Sequence, residues 1–384
     1  EGVAQVRALR AYYYYRLLDL FGRVKIVTSI DNPDTEDENE ADASQSDRAE
    51  VFRFVEDELK AVIASGGLPT TINAERFTQS GANALLAKLY LNAEVYTGTA
   101  QWQDASDAAD EVINSGLYML TEDYGEVFSP TNSGDPEHIL VAPYDQPSGR
   151  NGMNFSQMTL HYGNQATYNL AEQPWNGYTT LEDFYNSYES QDERRENNFL
   201  VGLQRDAGGN PIIDLAAEGA EDPDGFELNF TPKINELFPN AIRQGGARLS
   251  KFGFEDGAQS NMNNDYPILR YGDILLVKAE AEARLASNWS APETVSLVNQ
   301  LRARAGVSAY TSLTEDEFLA ERGREMFMEA SRRQDLIRFG RWGNQWWEKP
   351  SSDATVRQLF PIPQEQIDAA RASGSEPLTQ NPGY

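Results

Sequence analysis

Residues 267–285 read PILRYGDILLVKAEAEARL, and the spacing of their apolar positions decides the fold class. Ile268, Tyr271, Leu275, Ala279 and Glu282 recur every three or four residues along one helical stripe, and Ala283 and Leu285 widen the apolar surface. Pro267 suits a first helical turn, where its missing N–H would be unpaired anyway, so the spacing predicts helix from that residue. A second helix follows over 291–305 and stops at Gly306. A third is predicted from the capping box Thr314-Glu315-Asp316-Glu317 to about Ser331. The segment ERGREMFMEASRRQDLIRFGRW at 321–342 places Arg and Glu three and four apart, the pattern of a structural ion-pair lattice.

The same periodicity runs at the other end of the chain. Residues 3–21 carry Val6, Leu9, Tyr13, Leu17 and Leu20 on one stripe before Phe21-Gly22 ends the helix. Tyr12 to Tyr15 are consecutive and wrap roughly 300° of a helix, so two are expected in the core and two partly exposed. Asp47 with Glu50 forms a capping box for a helix to about Ser65, and helices are expected at 74–97 and 102–115. Paired in this way the helices resemble tetratricopeptide arrays. Between about 120 and 262 the helical period gives way to Gly, Asn, Pro, Asp and Thr with scattered aromatics, apart from a short helix near 180–188 capped by Thr180. The expected class is mainly α, with tetratricopeptide-like repeats at 1–119 and 263–384 and an irregular, loop-rich insertion at 120–262, all one structural unit. Long irregular segments in compact proteins usually carry function.

Composition narrows the chemistry. The 384 residues hold 32 Lys and Arg against 60 Asp and Glu, for a net charge of −28. No basic stripe is available to displace counterions from phosphate, so nucleic acid is disfavoured as a partner. There are no cysteines, which removes disulfides, thiolate metal sites and cysteine nucleophiles. Eight acids and no base fill residues 31–47, a solvated loop without the residue order of an EF-hand, so calcium is a minor option there. No apolar run is long enough to span a bilayer and no signal peptide opens the chain, so the start reads as truncated or processed. His138 and His161 lack a triad or metal-ligand context and read as loop hydrogen-bonding residues. Nucleotide-loop and nucleophile-elbow motifs are absent, and no carboxylate pair is singled out for glycoside hydrolysis.

The chain closes on FPIPQEQIDAARASGSEPLTQNPGY from Phe360. Pro361 and Pro363 force an extended segment, pinned by Phe360 and Ile362, ahead of a short polar helix. This tail, with LRAYYYYRLLDLFG at 9–22, NNDYPILRYGDILLVKAEAEARL at 263–285, LRARAG at 301–306 and ERGREMFMEASRRQDLIRFG at 321–340, resembles the SusD/RagB family of cell-surface glycan-binding lipoproteins. The five blocks occur in the family's order across nearly the whole chain. The resemblance implies a scaffold of four tetratricopeptide-like units beneath an irregular glycan-binding region. It also implies an outer-membrane lipoprotein that acts as the lid of a TonB-dependent, SusC-like transporter. In the family a signal peptide, a lipidated Cys and roughly a hundred residues precede the YYYY helix. Their absence here leaves membrane attachment to an anchor outside this sequence, and would uncover the apolar face of the first helix. The ARASGSE stretch at 370–376 departs from the shorter connection common in the family.

The candidate binding constellation is AEQPWNGYTTLEDFY at 171–185. Pro174 and Gly177 bracket Trp175 and Asn176 in a turn. Such a turn would either present the indole outward to the C–H face of a pyranose or bury it as a core anchor of the insertion. In the outward reading Tyr178, Asn176 and Gln173 orient the sugar, with Glu172 on the rim and Tyr144 and Asn261 as further ligand contacts. Trp289, Trp342, Trp346 and Trp347 read as core packing. The resulting expectation is a non-catalytic binder of oligo- or polysaccharide, a neutral β-glucan for want of a basic cluster, with no cofactor, no metal and no catalytic residue. The alternatives are a helical-toroid glycoside hydrolase or lyase using paired carboxylates, and a peptide-binding tetratricopeptide scaffold.

Overall fold

A computed structural model describes residues 1–28, 44–150, 152–215, 225–237, 239–372 and 377–384. The N-terminal helices are α1 (Gly2–Phe21), α2 (Arg48–Ala64), α3 (Gln79–Leu91), α4 (Ala93–Thr97) and α5 (Trp102–Ile113). Three short helices, α6 (Phe155–Thr159), α7 (Glu182–Asn186) and α8 (Glu193–Asn198), punctuate the loop-rich middle. The C-terminal set is α9 (Tyr271–Leu285), α10 (Pro292–Arg304), α11 (Glu315–Glu325), α12 (Arg332–Arg338) and α13 (Gln364–Ala372). The strands, among the described residues, form only two-stranded ladders. The fold is mainly α, as the periodicity predicts.

Local signals set several helix starts. Asp47 accepts from the Glu50 N–H while Glu50 returns the bond to the Asp47 N–H, and Thr314 and Glu317 repeat the box at α11. Four boundaries differ from expectation, one being the helix expected at 74–97, which starts only at Gln79 behind Thr78 and breaks at Asn92. Pro267 opens no helix: Tyr266–Arg270 is a strand paired antiparallel with His138–Ala142, and α9 begins after it. The short middle helix starts at Glu182 behind Leu181, without a side-chain cap, and the Thr180 N–H instead bonds the Ala247 carbonyl. Helix α11 ends at Glu325 rather than near Ser331, where Met328 and Ala330 adopt φ of +62° and +55° before α12 begins.

The face of α1 is also reversed. Ala4, Ala8, Ala11, Tyr15 and Leu18 are buried, whereas Val6, Leu9, Tyr13 and Leu17 stand exposed. Alanines let α2 approach closely, and Glu58 on α2 then takes both Arg7 and Arg10 at 2.6 Å. Of the four tyrosines, Tyr15 is buried, Tyr12 and Tyr14 are half-buried against the core, and Tyr13 is exposed.

Helix α5 packs on both α3 and α9, and α9 packs on α10, so the two helical sets share one stack although about 150 residues separate them in sequence. Eleven residues of α9 are buried, which puts it between the two main cores. The tail docks as its prolines require. The Phe360 N–H bonds the Leu20 carbonyl at 2.8 Å, and buried Asn381 donates to the carbonyls of Phe21 and Phe360. Residues 31–43, with the calcium option, and 373–376 of the ARASGSE stretch lie outside the described residues.

A buried ion lattice ties the loop-rich middle to the helices. Glu325 faces Arg194 of α8, Arg270 of the strand and Arg304 of α10, while Glu137 takes Arg270 at 2.5 Å and Arg304 at 2.7 Å. Arg194 also reaches Asp192 and Glu321, and Glu329 links Arg270 to Lys251. The arginines hold Glu325, Glu321, Glu280 and Asp335 below the usual carboxylate range, against a burial cost acting the other way.

Candidate functional site

The 174–178 turn is clamped from behind by residues 157–160. The N–H groups of Trp175, Asn176, Gly177 and Tyr178 bond in succession to the carbonyls of Gln157, Leu160, Met158 and Met158 at 2.6–2.9 Å. Glycine is required at 177, because a Cβ there would sit 2.9 Å from the Met158 carbonyl oxygen. Thr159 Oγ1 donates to the Tyr178 carbonyl at 2.9 Å and accepts from the Leu249 N–H at 2.8 Å. With its backbone turned inward, the segment shows its rings to solvent: Trp175 is 51% exposed and Tyr178 is 54% exposed, while Pro174 between Gln173 and Trp175 is buried.

Asn176 does something other than offer its amide to a ligand. It adopts φ of +55°, its Oδ1 accepts from Arg248 at 2.8 Å and its Nδ2 donates to the Arg243 carbonyl. Arg248 is fully buried and also donates to the carbonyls of Gly245 and Gly246 at 2.8 Å and to that of Arg243, with its guanidinium 4.3 Å above the Phe230 ring. Burial pushes its pKa down to about 10. Asn176 therefore positions the turn. Nothing local in the sequence marks this clamp, since its partners stand 72 residues apart.

Gln173 is exposed beside Trp175. Glu172 is drawn to the loop at 256–265, where Ser260 Oγ donates to its carboxylate and the Ala171 N–H bonds the Ala258 carbonyl. The same loop reaches Tyr144. The Asn261 carbonyl accepts from Gln146 Nε2, Asn263 Oδ1 accepts from the Gln146 N–H, and the Tyr144 N–H bonds Asp265 at 2.8 Å. One loop thus connects Glu172, Asn261 and Tyr144. Tyr144 is half-buried, and Asn264 is buried with its amide spent on the carbonyls of Phe128 and Gly253.

Both histidines are internal. His138 lies in the long strand and donates from Nε2 to the Val127 carbonyl at 3.0 Å. His161 accepts at Nδ1 from the Gly163 N–H, and its Nε2 lies 3.5 Å from Asp214. Burial pushes the His161 pKa down to about 4 and lowers that of His138 as well. Between pH 6.5 and about 4 the unfolded chain binds the His161 proton and the folded one does not, so this stability is complete above pH 6.5 and lost as pH falls. The expected loss is about 1.4 kcal/mol per pH unit for His161 in that window, with His138 acting in the same direction. Urea midpoints measured from pH 7.5 to 5 check this, and a flat profile would contradict it. Among the described residues no group of three or more acidic or histidine side chains is placed to hold a metal. No helix among them is long and apolar enough to cross a membrane.

Comparison with known proteins adds to this geometry. The SusD family model matches residues 238–384. The starch-binding protein SusD of Bacteroides thetaiotaomicron is 26% identical over 99% of this chain and 72% of its own length. The chain is thus similar to SusD along nearly its whole length. A SusD-like protein of Bacteroides ovatus is 25% identical over 93% of the chain and 64% of its own. Among solved structures, a SusD superfamily protein from Parabacteroides distasonis superposes with a TM-score of 0.77 at 21% identity, over 99% of this chain and 78% of that one. Surface glycan-binding protein A of Bacteroides thetaiotaomicron, in complex with laminarihexaose, gives 0.73 at 23% over 99% and 78%. The SusD-like helical fold therefore holds for the full length of the chain, while the ligand must be argued from the site.

Proposed function

We propose that this protein is a non-catalytic subunit that captures oligo- or polysaccharide at the cell surface and delivers it to a TonB-dependent, SusC-like outer-membrane transporter. It would work as a lipid-anchored lipoprotein. The observation that carries the reading is the pair of half-exposed rings, Trp175 and Tyr178, on a turn whose backbone is fully engaged behind them. A rigid ring loses little freedom when it stacks on a sugar, so more of the buried area appears as affinity. Gln173 supplies hydroxyl-bonding groups at the rim, Asn261 stands on the adjoining loop, and Tyr144 is bonded to that loop through Asp265. The relatives support the ligand class: one is named for starch binding and another was solved with laminarihexaose. A neutral β-glucan suits the acidic chain best.

The lattice carboxylates themselves are unsuited to acid–base hydrolysis. A general acid needs a raised pKa, whereas arginines hold these groups ionised. Trp175→Ala is expected to weaken retardation in glucan affinity gels at least tenfold, the equivalent of about 1.4 kcal/mol. Unchanged retardation would refute the assigned platform. Release of reducing ends or unsaturated products from a polysaccharide panel would favour the hydrolase or lyase alternative.

A further inference from the structure

The turn after α12 holds a second exposed indole that the functional reading leaves unused. Trp346 is 53% exposed, although its spacing from Trp342 suggests core packing. It is held rigidly. Its N–H and carbonyl both bond Lys349, at 3.2 and 2.8 Å, and Glu348 between them takes φ of +54°. Behind the turn, Trp342 Nε1 donates to the Val356 carbonyl at 3.1 Å and the Ser352 N–H bonds the Gly343 carbonyl at 2.9 Å. A Cβ at Gly343 would lie 2.3 Å from the Ser352 carbonyl oxygen, so the two segments are pressed together. Trp346 is therefore presented on a braced turn, with half its surface left in water at the expense of the hydrophobic gain that burial would bring.

Beside it lies a cleft of about 390 Å³, within the range of small-ligand sites. Trp342, Trp346, Leu319 and Leu336 line it together with Asp316, Arg332, Arg341, Asn344 and Lys349, and Arg332 is engaged with the Leu319 carbonyl at 2.7 Å. Arg341 and Asp316 pair at 2.9 Å on the rim, and the Lys349 ammonium lies 6.0 Å from the Trp346 ring centroid. Two indoles set among hydrogen-bonding side chains match a pyranose, which is apolar on its C–H faces and polar around its edge. The next residue, Trp347, lines a separate small cleft with Leu181, Glu182 and Ile234. Leu181 follows Tyr178 by three residues, at most about 11 Å of chain. The Trp346 turn is thus joined through Trp347 to the region of the Trp175 turn.

We infer that the Trp342–Trp346 cleft is a second saccharide subsite, taking a neutral pyranose of the same polymer that the Trp175 turn engages. The inference rests on the proposed function only for the ligand class. Two platforms on one protein raise the apparent affinity for a polymer that spans both far more than for a short oligomer.

The test compares the wild-type protein with Trp175→Ala, Trp346→Ala, Asn344→Ala and the double tryptophan variant, using laminarin and starch in affinity gels and laminaritriose and maltotriose in solution. Trp346→Ala should lose at least threefold in polymer affinity with an unchanged urea midpoint, and Asn344→Ala should lose affinity in the same direction. The residual polymer binding of Trp175→Ala should vanish in the double variant. Wild-type retardation of Trp346→Ala, with Trp175→Ala weakened, overturns the second subsite alone. A wild-type protein retarded by no polysaccharide overturns the glycan reading itself. Binding at Trp346 only of polygalacturonate, abolished by salt, overturns the neutral assignment.

Discussion

Glu325→Ala is expected to cost about 3–5 kcal/mol, because it removes one carboxylate from among three buried guanidiniums. Glu325 is fully buried and contacts Arg194, Arg270 and Arg304, which come from three separate elements. Arg304 and Arg270 would keep Glu137, but Arg194 would retain only Asp192 and Glu321. The alanine also leaves a void that these planar groups cannot fill without losing other bonds. Glu325→Gln preserves the shape and removes the charge, so it should fall between wild type and alanine. Urea unfolding at pH 7.5 measures both variants. A loss below about 1 kcal/mol for the alanine would show that the lattice is satisfied without it.

Arg248→Ala is expected to act on stability and binding together. Its guanidinium serves the carbonyls of Arg243, Gly245 and Gly246 and the amide oxygen of Asn176. Hydrogen bonds to a charged donor contribute about 1.5–3 kcal/mol each and are not additive, so a total near 3–5 kcal/mol is expected. Asn176, at φ of +55°, would lose its Oδ1 partner, and the Trp175 ring would be less firmly presented. Glucan retardation should fall although Arg248 itself is buried away from solvent. Arg248→Lys should restore part of the stability and less of the binding, because an ammonium cannot reproduce the guanidinium fork. A folded Arg248→Ala protein that binds as well as wild type would remove the clamp from the account of the site.

Much of the scaffold was legible because its signals are local. Asp47 with Glu50 and Thr314 with Glu317 satisfy helix ends within four residues, and Gly306 stops α10 with φ of +68°. The outward indole was one of two readings of the Pro174–Gly177 turn, and burial alone separated them. Trp346 was misjudged for the converse reason: helical spacing points to a core face, but the chain had already left the helix at Phe339 and Trp346 sits on a braced turn. Arg and Glu spacing in 321–342 pointed to a structural ion-pair lattice, without saying which elements it joins. In the fold these side chains mostly reach other elements, such as Arg270 from the strand and Arg194 from α8.

By itself the sequence determined the periodicity of the helices, the capping boxes at Asp47 and Thr314 and the extended course of the proline tail, because each depends on residues within a turn or two of one another. Only the tertiary structure decided which face of α1 is buried, that Tyr266–Arg270 pairs as a strand, and that Asn176 braces the turn. Those outcomes depend on how closely alanines let two helices approach, and on buried charges and amides finding partners more than fifty residues away.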